Sequence, residues 1–204
     1  MSKILLTGFE PWGEWTINPS GEVASSLDGH KIGGVSIVTG IVPVVHGEDI
    51  ETVRPLIEQH DPVAVVSIGL GGSSGLNVER VAVNIKEIDS DEGTIDLPVV
   101  EGGPDAYLST LPTRDMVEYI RSQGVPTQLS YSAGTFLCNH LMYSVLHHLR
   151  ASERDVISGF IHIPPMPEQV VGSGRPSMSL DTVRQGVVAA LECVEDHIRH
   201  SASV

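Results

Sequence analysis

A chain of 204 residues has the length of one large domain and enough side chains to bury a substantial core. Its formal net charge of -14 argues against partners with an anionic backbone or headgroup, so nucleic acid and membrane surfaces are excluded as expected partners. Hydrophobic residues at 41% and charged ones at 19% exclude a disordered chain, and no apolar run approaches the ~20 residues that span a bilayer.

In chain order, Lys3 to Thr7 is a short apolar run without the long core of a secretory signal, and it reads as a first strand. The loop Phe9-Glu10-Pro11-Trp12-Gly13 follows and sets two aromatics close together. Asn18 before Pro19 is a helix start, an N-cap side chain followed by proline at the first helical position, and that helix runs to about Leu27. Val35 to Val45 reads as a second strand, Gly47 to His60 as a helix kinked at Pro55, and Val63 to Ile68 as a buried apolar strand. After the glycine-rich turn GLGGSSG, the alternation of Val78 to Asn84 predicts one further strand. The glycine turn lacks the lysine ending and the spacing of a phosphate cradle.

Lys86 to Pro112 has no periodicity, carries Asp89, Asp91, Glu92, Asp96, Glu101 and Asp105, and reads as a long functional loop of the kind that forms lids. Thr113 to Gln123 is an amphipathic helix closed by Gly124, and Val125 to Tyr131 is strand-like. A break at Ser132-Ala133-Gly134 leads into a helix whose apolar face is Leu137, Leu141, Met142, Val145, Leu146 and Leu149. His140, His147 and His148 on it lack metal-ligand spacing and read as a solvated face. Val156 to Ile163 is another apolar strand, and a loop from Met166 to Pro176 leads to a last helix from about Ser179 to Arg199. Strands alternating with helices, several strands almost wholly apolar, predict a mostly parallel sheet covered on both faces. The expected organisation is a single domain over residues 1–204, with sites at the carboxyl ends of strands.

Chemistry gathers around three residues. Cys138 sits in or just before the first turn of its helix, where unpaired N–H groups and the macrodipole favour an anion and so suit a nucleophilic thiolate. His162 closes an apolar strand, and Glu79 follows the glycine turn. The topology brings them toward one edge of the sheet as nucleophile, base and orienter. The blander alternatives are a packed cysteine, a satisfied core histidine, and a glutamate paired with Arg80 or a neighbour. Cys138 and Cys193 form no disulfide framework, so a reducing cytoplasmic setting is expected, and neither a metal nor a cofactor is. Cys193 reads as a small core residue or a surface thiol.

The segments TGFEPWG with NPS, NVERVAVN, DEGT, GPDAYLSTLP, SAGTFLCNHLMY and GFIHIPPMPEQ occur in this order over nearly the whole chain. Together they resemble the pyroglutamyl peptidase I family, also called pyrrolidone-carboxylate peptidases. The resemblance implies an open three-layer α/β/α sandwich, often a homo-oligomer (dimer or tetramer), with cysteine exopeptidase activity on small peptides that begin with pyroglutamate. It further implies Cys138 as nucleophile, His162 as base, Glu79 as the catalytic glutamate, and Phe9 and Trp12 as aromatics of the lactam pocket, with tryptophan where the family has phenylalanine. Two departures accompany the match. Gly71-Gly72-Ser73 stands where the family carries an arginine after two glycines, and Lys86-Glu87-Ile88-Asp89 replaces a segment bearing a second arginine. Two functions are therefore expected to compete: an active thiol peptidase, and a weakened relative that binds pyroglutamyl or related lactams without efficient turnover.

Overall fold

A computed structural model describes residues 2–90 and 93–201; Asp91 and Glu92, part of the acidic segment, lie outside the described residues. The first strand is β1 (Lys3–Phe9), followed by α1 (Pro19–Ser26), β2 (Lys31–Ile32), β3 (Val35–Val42), α2 (Glu48–His60) and β4 (Ala64–Leu70). Next come β5 (Leu76–Glu79), β6 (Val81–Val83), β7 (Lys86–Ser90), β8 (Gly93–Leu97), β9 (Ala106–Leu108) and α3 (Thr113–Ser122). The chain then forms β10 (Thr127–Ser130), α4 (Leu137–Ala151), β11 (Ile157–Ile163), a short 3-10 turn at Pro167–Gln169, and α5 (Leu180–Ser201).

Seven strands make the central sheet in the order β10-β5-β11-β4-β1-β3-β2. Neighbours are parallel except β5 with β11 and β2 with β3. Because successive strand residues point to opposite faces, Ile4 and Leu6 enter one core layer and Leu5 enters the other. On the first face α1, α3 and α5 press Val23, Leu27, Met116, Ile120, Val187 and Leu191 onto the sheet. On the second, α2 and α4 contribute Ile50, Val53, Ile57, Leu141, Val145 and Leu149. The result is the mostly parallel, doubly covered sheet expected.

Local sequence accounts for several element starts. Asn18 Oδ1 accepts the Ser20 N–H (3.1 Å) and hydroxyl (2.8 Å), capping α1, while its amide donates to the Glu10 carbonyl (2.9 Å). The Ser20 hydroxyl oxygen accepts the Phe9 N–H at 3.0 Å, so one cap fixes both ends of the 10–17 loop. At Gly8 a β-carbon would lie 2.2 Å from the Ser20 carbonyl oxygen, which is why α1 comes this close to β1 only over glycine.

Three expectations are corrected. The predicted strand from Val78 to Asn84 is two: β5 belongs to the central sheet, and β6 leaves it to pair with β9. The turning point is Arg80, whose N–H donates to the Ser130 carbonyl (2.7 Å) and whose guanidinium donates to the Ser109 carbonyl (2.9 Å). Alternation breaks here, at the consecutive polar pair Glu79-Arg80, but a bulge within one strand would give the same break, so the pattern alone does not reveal the change of sheet. The segment Lys86 to Pro112 is no plain loop, for β7 and β8 form an antiparallel ribbon in register from Lys86↔Leu97 to Ser90↔Gly93. Every residue of β8 is exposed, so no buried face imposes a period. The histidines of α4 are not a solvated face either. His140 is buried against Asp49, and His147 Nδ1 meets the Tyr107 hydroxyl at 2.9 Å while its ring stacks on Tyr143.

Candidate active site

The three distant residues singled out from the sequence meet at the carboxyl ends of β4 and β11. His162 pairs across the sheet with Gly69 of β4 on one side and with Asn77 of β5 on the other. Glu79 opposes Phe160, so its side chain shares a face with His162 and reaches it diagonally. Nδ1 of His162 lies 2.7 Å from Glu79 Oε1, with the glutamate side chain 1% exposed and the imidazole 12%. That bond leaves Nε2 as the nitrogen able to serve a thiol. The second glutamate oxygen, Oε2, is buried with no hydrogen-bond partner among the described residues.

Electrostatics at the imidazole oppose one another. Burial pushes the His162 pKa down, but hydrogen bonds with the Cys138 thiol and Glu79, and the charges of both, outweigh it and raise the value to about 10. At neutral pH the arrangement therefore favours an imidazolium flanked by a carboxylate and a sulfur. Phe160 completes the setting with its ring 4.9 Å from His162 and 6.4 Å from Phe9.

Cys138 is the second residue of α4 and only partly buried. The helix begins at Leu137 with no side-chain cap from Phe136 and no acidic residue in its first turn, so its leading N–H groups are left to an incoming anion. Two connections hold that helix start in place. Asn139 accepts the Val83 N–H (2.8 Å) and donates to the carbonyls of Val83 (2.9 Å) and Ile85 (2.8 Å), and the Glu87 N–H donates to the Thr135 carbonyl (2.9 Å).

Two glycines make room for the pair. A β-carbon on Gly69 would lie 2.6 Å from the Phe160 ring and 3.0 Å from the Cys138 sulfur, and one on Gly71 would lie 2.9 Å from the His162 β-carbon. The GLGG run thus supplies clearance for the thiol and imidazole. Sequence reading registered the glycines without this role, because only the folded sheet sets the distances.

Against the sulfur lies a cavity of about 420 Å³. Phe9 and Trp12, the two aromatics named from the sequence, line it with Cys138; Phe9 is buried and Trp12 half exposed. Asn18, Val44, Leu70, Phe136 and Leu137 complete the lining and were not among the sequence candidates. Asn18 carried a signal, its capping position, but nothing in one chain marks a cap as also lining a cavity. Among the described residues no group of three or more His, Cys, Asp or Glu side chains is placed to hold a metal ion. Cys193 is half-buried on α5, where burial, then Asp115 and Asp196, push its thiol up to about 11.

A partly buried thiol beside an imidazole–carboxylate pair, over an apolar cavity on a doubly covered α/β sheet, has the layout of the thiol hydrolase class. The family model described as pyroglutamyl peptidase matches residues 2–197, and the chain belongs to that family. Among relatives, the pyrrolidone-carboxylate peptidase of Aliivibrio fischeri is 44% identical over 202 residues, 97% of this chain and 94% of its own. Among solved structures, pyroglutamyl peptidase I of Bacillus amyloliquefaciens superposes with a TM-score of 0.90 at 38% identity, covering 95% of this chain and 97% of that one. The pyrrolidone carboxyl peptidase of Thermococcus litoralis gives 0.92 at 34% identity, covering 98% and 96%.

Proposed function

We propose that this chain is a cysteine exopeptidase that removes an N-terminal pyroglutamyl residue from small peptides. The observation that carries the reading is the buried 2.7 Å contact between His162 and Glu79 on an imidazole that also engages Cys138, whose sulfur borders an apolar cavity. Family membership supports the substrate class. A pyroglutamyl group carries a lactam where other peptides carry a charged amine, so an apolar slot with a few polar groups suits it better than an acidic anchor. Phe9 and Trp12 serve as the slot's aromatic walls in this reading.

In the mechanism, Glu79 holds the imidazole in its productive orientation and stabilises the imidazolium. With His162 already holding, as imidazolium, the proton it shares with Cys138, the sulfur attacks the pyroglutamyl carbonyl, and the tetrahedral oxyanion is met by the Cys138 N–H and its neighbours at the uncapped start of α4. The imidazolium then protonates the departing amine, the C–N bond breaks, and a thioester remains on Cys138. Water, deprotonated by His162, hydrolyses that thioester and frees pyroglutamate with the thiol restored. The exposed Ile95, Leu97 and Leu108 support a homo-oligomer, a dimer or tetramer, which light scattering checks. The two free cysteines support a reducing, cytoplasmic setting, and the continuous sheet supports a single domain.

A second reading is favoured by Gly71-Gly72-Ser73 and by Lys86-Glu87-Ile88-Asp89, where the family's arginines are absent. Losing one oxyanion donor costs on the order of 100-fold in turnover, which would leave a lactam-binding protein with little catalysis. Hydrolysis of a pyroglutamyl fluorogenic amide separates the two. The peptidase reading expects turnover that iodoacetamide and Cys138→Ala abolish and a chelator leaves intact. Saturable binding of the amide without turnover would favour the second reading.

A further inference from the structure

Helices α2 and α4 share a buried ionisable pair that the mechanism leaves unused. Asp49, in the first turn of α2, is fully buried, and its Oδ2 lies 2.6 Å from Nδ1 of the buried His140. Its other oxygen accepts the N–H groups of Gly47 (3.0 Å) and Ile50 (2.8 Å). One carboxylate therefore fastens the 43–47 turn to the start of α2 and at the same time grips α4. A buried contact between two ionisable side chains is a poor device for stability alone, since apolar residues of the same volume often serve as well or better. Its place in the fold suggests another use.

Both arms of the tie reach the cavity. Val44 belongs to the 43–47 turn and forms part of the cavity wall, while Cys138 lines the same cavity two residues before His140. His46, also in the turn, sets its ring edge-on against His140 with centroids 5.0 Å apart, and its Nδ1 is buried without a partner among the described residues. Burial, and behind it the nearby His140, hold the His46 pKa below its ordinary value, so the ring packs as a neutral wedge. The start of α4 is anchored separately by Asn139 to Val83 and Ile85. Backbone bonds from the Asp49 and Glu51 N–H groups to the carbonyls of Val45 and Gly47 still join the turn to α2, so cutting the side-chain tie at Asp49 is expected to loosen the turn and its wall against α4 while Cys138 keeps its place beside His162.

We propose that Asp49, acting through His140, is a positioning residue for substrate: it holds the Val44 wall against the helix that carries Cys138, and so sets how tightly the pyroglutamyl end is bound. The proposal rests on the peptidase reading and assigns to Asp49 no part in bond breaking. Steady-state kinetics with a pyroglutamyl fluorogenic amide test it in three variants. Asp49→Ser keeps a hydroxyl for the turn but does not reach His140; His140→Phe fills the volume without an N–H; His140→Asn restores an N–H near the position of Nδ1.

Asp49→Ser and His140→Phe are each expected to raise KM about tenfold with kcat within about twofold, because uniform binding is lost and the chemistry is not. His140→Asn is expected to stay close to the wild-type KM. The double variant Asp49→Ser with His140→Phe is expected to be no worse than either single one, as befits two halves of one contact. A lowered melting temperature with unchanged KM in folded Asp49→Ser would overturn the proposal, as would a fall in kcat at constant KM. Should His140→Phe fail to fold, Asp49→Ser and His140→Asn decide the matter. If the wild type itself hydrolyses nothing, the peptidase reading falls and takes this proposal with it; if the wild type turns over and Asp49→Ser matches its KM, this proposal falls alone.

Discussion

At Gly69 a single methyl group decides whether the thiol fits. The β-carbon of an alanine there would meet both the Phe160 ring and the Cys138 sulfur, and Phe160, fully buried in the sheet, has little room to yield. Gly69→Ala is expected to lower kcat/KM about 100-fold while the protein stays folded, since small misplacement of a reacting group is costly; circular dichroism with the fluorogenic assay checks both halves. At Glu79 the removal of one charge has a defined sign. In the proposed mechanism the imidazolium of His162 protonates the leaving amine, and Cys138 and Glu79 together hold its pKa near 10. Glu79→Gln is therefore expected to move the alkaline limb of the kcat/KM profile to lower pH, and to reduce the plateau by roughly 100-fold. An unmoved limb would mean that Glu79 does not act on the imidazole. The meeting of Glu79, Cys138 and His162 was legible in the sequence because the motifs around them are family-specific and the residue types are chemical. Gly69 and Gly71 were not, since a glycine's purpose lies in what its missing side chain leaves room for.

Among the elements, α1 shows how one cap serves both fold and site. Asn18 closes the helix start, ties back to Glu10 and lines the cavity. Asn18→Ala is expected to cost about 1 kcal/mol in urea unfolding, the usual loss for an N-cap, and to raise KM by loosening the loop that carries Trp12. The helices were the most legible elements, with capping or apolar stripes that agree with the observed spans to within a few residues. The ribbon of β7 and β8 was hidden because neither of its faces enters a core, and the division of β5 from β6 was hidden because the one break in alternation, at Glu79-Arg80, is also what a bulge in a single strand would give. The burial of His140 was equally unreadable. A polar residue on an apolar helix looks solvated until the opposite helix supplies its carboxylate, here Asp49 from α2.

For the molecule as a whole, the raised His162 pKa couples folding to pH. The folded chain binds this proton more tightly than the unfolded chain, whose histidine has the ordinary value of 6.5, so the contribution to stability is whole below pH 6.5 and fades as pH rises toward about 10. Urea unfolding is expected to show the wild type losing more stability than Glu79→Gln over that window; equal losses would remove His162 as the source. The net charge of -14 adds self-repulsion that salt screens, so moderate salt is expected to raise the melting temperature of both proteins alike. The central claim is that Cys138 becomes covalently attached to the pyroglutamyl group during turnover. Acid quenching of the reaction followed by peptide mapping in a mass spectrometer tests it most directly: one pyroglutamyl thioester on the peptide containing Cys138 is the predicted result, and turnover that persists with no adduct there, or with the adduct on Cys193, would contradict it.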